Sequence, residues 1–163
     1  MKQEKSLSMT LLMTPDLANF SGVVHGGAML KLLDQVAYAC AAKYCKSYVV
    51  TASLDMVEFI RPVKVGALAT FHGNVNYVGS TSLEVGIKVT AEDLKDGGEI
   101  HAASCYFTMV AKGKNGKNVK VPPLQIETDI DRRLFESGKM RRAMRKEMKA
   151  RNEALHVDMS EDK

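Results

Sequence analysis

Tryptophan is absent from the 163-residue sequence and aromatic residues make up only 6% of it, whereas methionine occurs 10 times. A core built from such a chain leans on aliphatic and thioether packing. No apolar run approaches the roughly 18 residues that a membrane-spanning helix needs, and the opening MKQEKSLSMT is too polar for a signal peptide. A cytoplasmic protein with no membrane partner is the expectation. Cysteine is scarce too: Cys40, Cys45 and Cys105 form no CxxC and no Cys/His pair at metal-site spacing, and an odd count argues against a secreted disulfide framework. They read as buried thiols. His72 and His101 fall on strand-like stretches without a ligand partner in sequence, so no metal site is expected. Internal repeats are missing as well.

What remains is globular in composition, 45% hydrophobic and 26% charged, and sized for one domain with a tail. The net charge of +4 is uneven: Arg132 to Arg151 holds nine Lys or Arg against two Glu, a local +7, so the rest of the chain carries −3. Any bias towards anions belongs to that segment. The expected division is therefore a domain over 1–125 and a basic helical extension over 126–163.

Along the chain, Leu7, Met9, Leu11 and Met13 alternate with polar residues, the period of a half-buried strand. The following PDLANFSGVVHGG has the composition of a loop. From Ala28 to Tyr44, Met29, Leu32, Leu33, Val36, Ala37 and Cys40 recur at helical spacing with no glycine or proline between them, which predicts a long helix with a wide apolar face. Four strand-like stretches follow at 48–60, 67–78, 83–91 and 100–111, and their connections are too short to hold crossover helices. One helix and about five antiparallel strands have an economical solution, a sheet curled around the helix. The last strand is apolar or small on both faces, so a second copy of the sheet is expected to cover it. Residues 130–155 read as a charged amphipathic helix.

Within the first helix, Asp34 has Leu30, Ala37 and Tyr38 as neighbours three or four residues away. That setting suggests a partly desolvated carboxylate suited to general-base work, although an ion pair with Lys31 on the helix surface accounts equally for it. His25, Gly26 and Gly27 precede the helix. Two glycines admit close approach of a substrate, and free N–H groups at a helix start are donors for an oxygen that develops negative charge. Packing at a helix entry is the commoner use of such a pair. Asn19 can orient a water or donate to a carbonyl, or serve as an ordinary turn residue. No competing nucleophile is visible, since Ser53, Ser80 and Ser104 lack a GxSxG setting.

Taken together, PDLANFSGVVHGGAMLKLLDQVAYACAA and VTASLDMVEFIRPVKVGALATFHGNVNYVGSTSLEVGIKVTAED resemble the hotdog-fold acyl-CoA thioesterases of the bacterial YciA and brain acyl-CoA hydrolase type, over roughly residues 6 to 150. The resemblance implies an α+β hotdog fold and hydrolysis of acyl-CoA to a free acid and coenzyme A. It implies paired hotdog units whose sites combine an Asn of one copy with the helix Asp of the other, assembled further into a hexamer, a trimer of dimers. Asn19 and Asp34 match those positions, and Gly26-Gly27 match the backbone that polarises the thioester carbonyl. His25 stands where many relatives have Phe, so no catalytic role passes to it. Coenzyme A is then substrate and no cofactor is expected. Its phosphates need cationic or backbone donors, for which the candidates are Arg61, Lys64, the turn Gly79, Ser80, Thr81 and Ser82, and the basic helix with Arg141, Arg142 and Arg145. A plain hairpin accounts equally for that turn, and a solvated face for the helix. Nucleic acid as a partner lacks both aromatic interleaving and a motif. An acyl-CoA-binding sensor without turnover is the alternative on the same fold. A hydratase is disfavoured because no His stands beside Asp34.

Overall fold

The computed structural model describes residues 3–156. Strand β1 (Ser6–Leu12) leads through a short 3-10 turn (Pro15–Leu17) and a loop into α1 (Gly26–Cys45), followed by β2 (Tyr48–Phe59), β3 (Leu68–Val78), β4 (Ser82–Glu92), β5 (Glu99–Lys112) and α2 (Asp129–Ala154). The five strands form one sheet in the order β1-β3-β4-β5-β2, every pair antiparallel. Residues up to Gln125 form one compact unit and those from Ile126 another.

The sheet curls about α1, which contacts all five strands. The wide apolar arc of the helix explains why: Met29, Leu33, Val36, Ala37, Cys40, Ala41 and Tyr44 are all buried. Opposite them the strands present Phe71, Leu83, Val85, Val89, Phe107 and Met109, alternate residues that share one face of the sheet. Complete burial of one such aliphatic side chain contributes about 1.5–3 kcal/mol. The expected α+β hotdog arrangement is thus the observed one. Helix α1 begins two residues earlier than its periodicity predicts, at Gly26, and ends where Lys46 takes a left-handed conformation (φ 53°) with its N–H on the Ala42 carbonyl. A segment after β5 with no regular structure straps the end of α1: the Tyr44 hydroxyl donates to the Pro122 carbonyl at 2.9 Å and accepts from the Gln3 amide at 2.9 Å.

Strand β2 pairs only with β5, leaving its other edge free, and its register slips twice, between Thr51 and Ser53 and between Asp55 and Glu58. Met56, inside the second bulge, has a positive φ of 46°. Several apolar side chains along this strand are exposed, among them Tyr48, Leu54, Met56 and Phe59. Of the three thiols, Cys40 and Cys105 are buried as expected, while Cys45, in the last turn of α1, is only half-buried. Burial pushes the Cys40 and Cys105 thiols up to about 12 and that of Cys45 to about 11.

Candidate active site at the seam of α1 and β2

Asp34 stands two turns into α1, on the flank of its buried arc. Its Oδ1 accepts a 2.6 Å hydrogen bond from the Thr51 hydroxyl of β2, a short bond typical of an ionised acceptor. The other carboxylate oxygen has no partner among the described residues, and the alternative ion pair with Lys31 is not formed. The two residues border a cleft of about 350 Å³, walled by Asp34, Gln35 and Tyr38 of α1 and by residues 48–51 of β2. The expected partial desolvation of Asp34 is not present within one chain. Its side chain is exposed, because Ala37 turns into the core while Tyr38 and Thr51 also face outward.

The loop before α1 is tied down by Asn19. Its backbone N–H donates to the Val23 carbonyl at 2.7 Å, and its side-chain oxygen accepts from the backbone N–H groups of Ser21 (2.9 Å) and Val23 (3.3 Å). Gly22 supplies the positive φ of 75° that closes this turn. Asn19 is therefore the ordinary turn residue of one reading, but its amide nitrogen keeps both protons unengaged among the described residues. It makes no bond to Asp34 of the same chain. Phe20, next to it, is fully exposed.

At the start of α1 the expectation of two available glycine donors needs correcting. His25 is the N-cap, and its Nδ1 accepts the Gly27 N–H at 2.9 Å, which meets one of the four unpaired donors of a helix start. A Cβ on Gly27 would lie 3.2 Å from that ring nitrogen, so the glycine also makes room for the cap. The Gly26 N–H has no acceptor among the described residues and remains available. His25, given no role from sequence, thus holds the helix start.

Known proteins resemble this chain in sequence and in fold. The thioesterase superfamily model matches residues 21–97, a span that contains Gly26, Asp34 and Thr51. Protein VdlD of Helicobacter pylori is 48% identical over 139 residues, covering 85% of this chain and 79% of that protein. A crystal structure of an apo-hexameric acyl-CoA thioesterase superposes with a TM-score of 0.87 at 33% identity, covering 90% of this chain and 94% of the other. The chain belongs to the thioesterase superfamily, in its acyl-CoA thioesterase branch. An acyl-CoA hydrolase of Staphylococcus aureus, solved with butyryl coenzyme A and coenzyme A, has a TM-score of 0.81 at 29% identity over 93% of this chain and 95% of its own. Alanine variants of that hydrolase at an asparagine, an aspartate and a threonine have also been solved, at positions separated in sequence as Asn19, Asp34 and Thr51 are here.

Sequence reasoning did not single out Thr51, which the fold brings within hydrogen-bond distance of Asp34. The other candidates do not line the cleft. Arg61 stands at the start of the connection from β2 to β3, its backbone N–H donating to the Ala102 carbonyl, and Lys64 is exposed with its ammonium 3.6 Å from Asp93. Gly79, Ser80, Thr81 and Ser82 form a tight hairpin between β3 and β4. Its Gly79 N–H meets the Ser82 carbonyl, and the Ser80 and Thr81 carbonyls accept from Val121 and Ala111. Arg141, Arg142 and Arg145 lie on α2, and each already engages a partner. One serine does meet a histidine, Ser104 Oγ lying 2.8 Å from His101 Nε2. That nitrogen also lies 3.2 Å from the Ala103 carbonyl, which only accepts, so Nε2 carries the proton and cannot activate the serine. Among the described residues no cluster of His, Cys, Asp and Glu is arranged to hold a metal, and no helix is long and apolar enough to cross a membrane.

Proposed function

We propose that this thioesterase hydrolyses acyl-CoA to a free carboxylic acid and coenzyme A, with Asp34 as the reactive carboxylate. The observation that carries the proposal is the 2.6 Å Thr51–Asp34 bond at the mouth of the cleft. Thr51 fixes one carboxylate oxygen and leaves the other directed at substrate. The Gly26 N–H, at the positive end of α1, receives the thioester oxygen as it gains charge. Asn19 of a second copy supplies its amide protons to the water or the carbonyl, since within one chain it has no contact with Asp34. The free oxygen of Asp34 takes a proton from water as that water attacks, or attacks the carbonyl itself to give an anhydride. Either route expels the coenzyme A thiolate, which takes up a proton; on the second route a water then cleaves the anhydride to release the acid and restore Asp34, and the acid–base contribution is about 10²- to 10⁴-fold.

The same reading makes the protein a homodimer with shared sites, joined along the free, apolar edge of β2, and assembled into a hexamer. The partner then supplies the desolvation that Asp34 lacks alone. Arg61, Lys64, the Gly79–Ser82 turn and Arg141, Arg142 and Arg145 are the donors proposed for the coenzyme A phosphates. No cofactor, nucleic acid or membrane enters the reaction, and three free thiols suit a cytoplasmic location.

Thiol release from acyl-CoA tests the proposal. Wild type is expected to turn over, Asp34→Asn to lose most of its kcat, and Thr51→Val to lose roughly tenfold, one hydrogen bond to a charged group. Mixing inactive Asn19→Ala and Asp34→Ala chains is expected to restore activity once subunits exchange. Stoichiometric binding of acyl-CoA by wild type with no thiol released would make the protein a sensor instead.

A further inference from the structure

The cleft beside Asp34 has two ends of different chemistry. At one, the Thr51 hydroxyl crosses from β2 to the carboxylate of α1. At the other, Tyr38 of α1 meets Tyr48 of β2 edge to face, their ring centroids 6.2 Å apart and their planes at 61°. Between the two the cleft is bordered by Val49, whose side chain is buried, and by half-buried Val50. Tyr38 follows Asp34 by four residues, so it lies on the same helix face about 6 Å further along the axis. Both rings are substantially exposed, 43% and 61%, and neither hydroxyl has a partner among the described residues. Core packing therefore does not account for them. A cleft of about 350 Å³ is at the small end of ligand pockets.

A thioester carbonyl at Asp34 sends its acyl chain somewhere, and the cleft runs from Asp34 past the Val49 backbone and Val50 to the two rings. We propose that the Tyr38–Tyr48 pair closes the far end of the acyl subsite and restricts the enzyme to short acyl groups. The inference rests on the thioesterase reading and names its substrate class: acyl-CoA whose chain extends only a few methylenes beyond the carbonyl. Each ring is held by the other, so removing either opens the end.

The test is kcat/KM by thiol release for acetyl-, butanoyl-, hexanoyl-, octanoyl-, lauroyl- and palmitoyl-CoA. Wild type is expected to fall off beyond hexanoyl. In Tyr38→Ala and in Tyr48→Ala the lauroyl-to-butanoyl ratio is expected to rise about tenfold or more, since a few added methylenes in an apolar pocket carry discrimination of that order. Tyr38→Phe and Tyr48→Phe keep the ring and the wild-type length profile, whatever their absolute rates. Two independent positions, one on α1 and one on β2, protect the test against one variant failing to fold or to assemble, which circular dichroism and size-exclusion chromatography check. An unchanged profile in both alanine variants would overturn the inference, as would phenylalanine variants that shift it as far as alanine does. An equal loss on all chain lengths in folded alanine variants would overturn it too. Wild type that hydrolyses none of the six substrates would instead sink the thioesterase reading beneath it.

Discussion

The chain contains two long helices that persist for opposite reasons. Helix α1, 20 residues, buries seven side chains and is held by the sheet around it. Helix α2, 26 residues, buries Gly138 alone among the described residues and carries several local devices. Thr128 and Asp131 form a reciprocal capping box, acidic residues occupy the first turn and Arg151 the last, and Arg151 pairs with Glu147 four residues back. A helix clamped along one arc can carry an unpaired polar group on its flank without loss of shape, and α1 does so at Asp34.

Function separates the two helices most widely. Asp34→Asn is expected to lower kcat by about 10²- to 10⁴-fold with the thermal transition unmoved. Joint replacement of Arg141, Arg142 and Arg145 by Gln is expected to raise KM for acyl-CoA more than it lowers kcat. A triple variant that lost kcat instead would bring α2 into the chemistry and break the contrast.

Stability separates them next. Leu33→Ala in α1 is expected to cost about 2–5 kcal/mol in urea unfolding, whereas Met144→Ala on the exposed side of α2 stays within about 0.5 kcal/mol. Equal costs would mean that α2 is clamped as well.

Alkaline pH sharpens the same contrast. Burial raises Cys40 to about 12, Cys45 to about 11 and Tyr44 to about 12, all on α1. A group whose folded value is raised contributes fully below its unfolded value, near 9.0 for thiols and 10.0 for tyrosine. That contribution is lost as pH climbs towards the folded value. Unfolding monitored from pH 8 upward is therefore expected to show stability falling through roughly pH 9–12, with Cys40→Ala and Cys45→Ala flattening the slope. No thiol or tyrosine lies in α2.

The smallest effect expected is that of Thr128→Ala, which removes the capping box for about 1 kcal/mol. Amide exchange should quicken in the first turn of α2 and stay unchanged in β3 and β4. Faster exchange across the sheet would tie the two units into one cooperative whole.

These contrasts also show what a sequence can disclose. The burial of Leu33, Val36 and Cys40 was legible because helical spacing alone puts them on one face, and the alternation of Leu83 to Ala91 was legible for the same reason in strands. Asp34 stood out by its apolar helical neighbours and Asn19 by its place ahead of the glycines, and a family resemblance joined the two. Thr51 did not stand out, because its partner is 17 residues away and only the closure of β2 against α1 brings them together. The exposure of Asp34 escaped because its helical neighbours straddle the border of the buried arc, Ala37 inside and Tyr38 outside. The loss of the Gly27 donor escaped too, since nothing in the spacing tells which side chain will cap a helix.

The two register slips of β2 bear on how this strand can change in length. Thr51 stands opposite Met109, and Ser53, two residues on, opposite Thr108. Deleting the intervening Ala52 therefore leaves both pairings intact, and the slip before Glu58 offers a second such point. Between Tyr48 and Thr51 every residue has its own partner, from Lys112 to Met109, so losing or gaining one there sends its neighbours to the other face of the sheet. Insertions and deletions thus have two silent entry points in β2, and both lie beyond the four residues that border Asp34 and Tyr38.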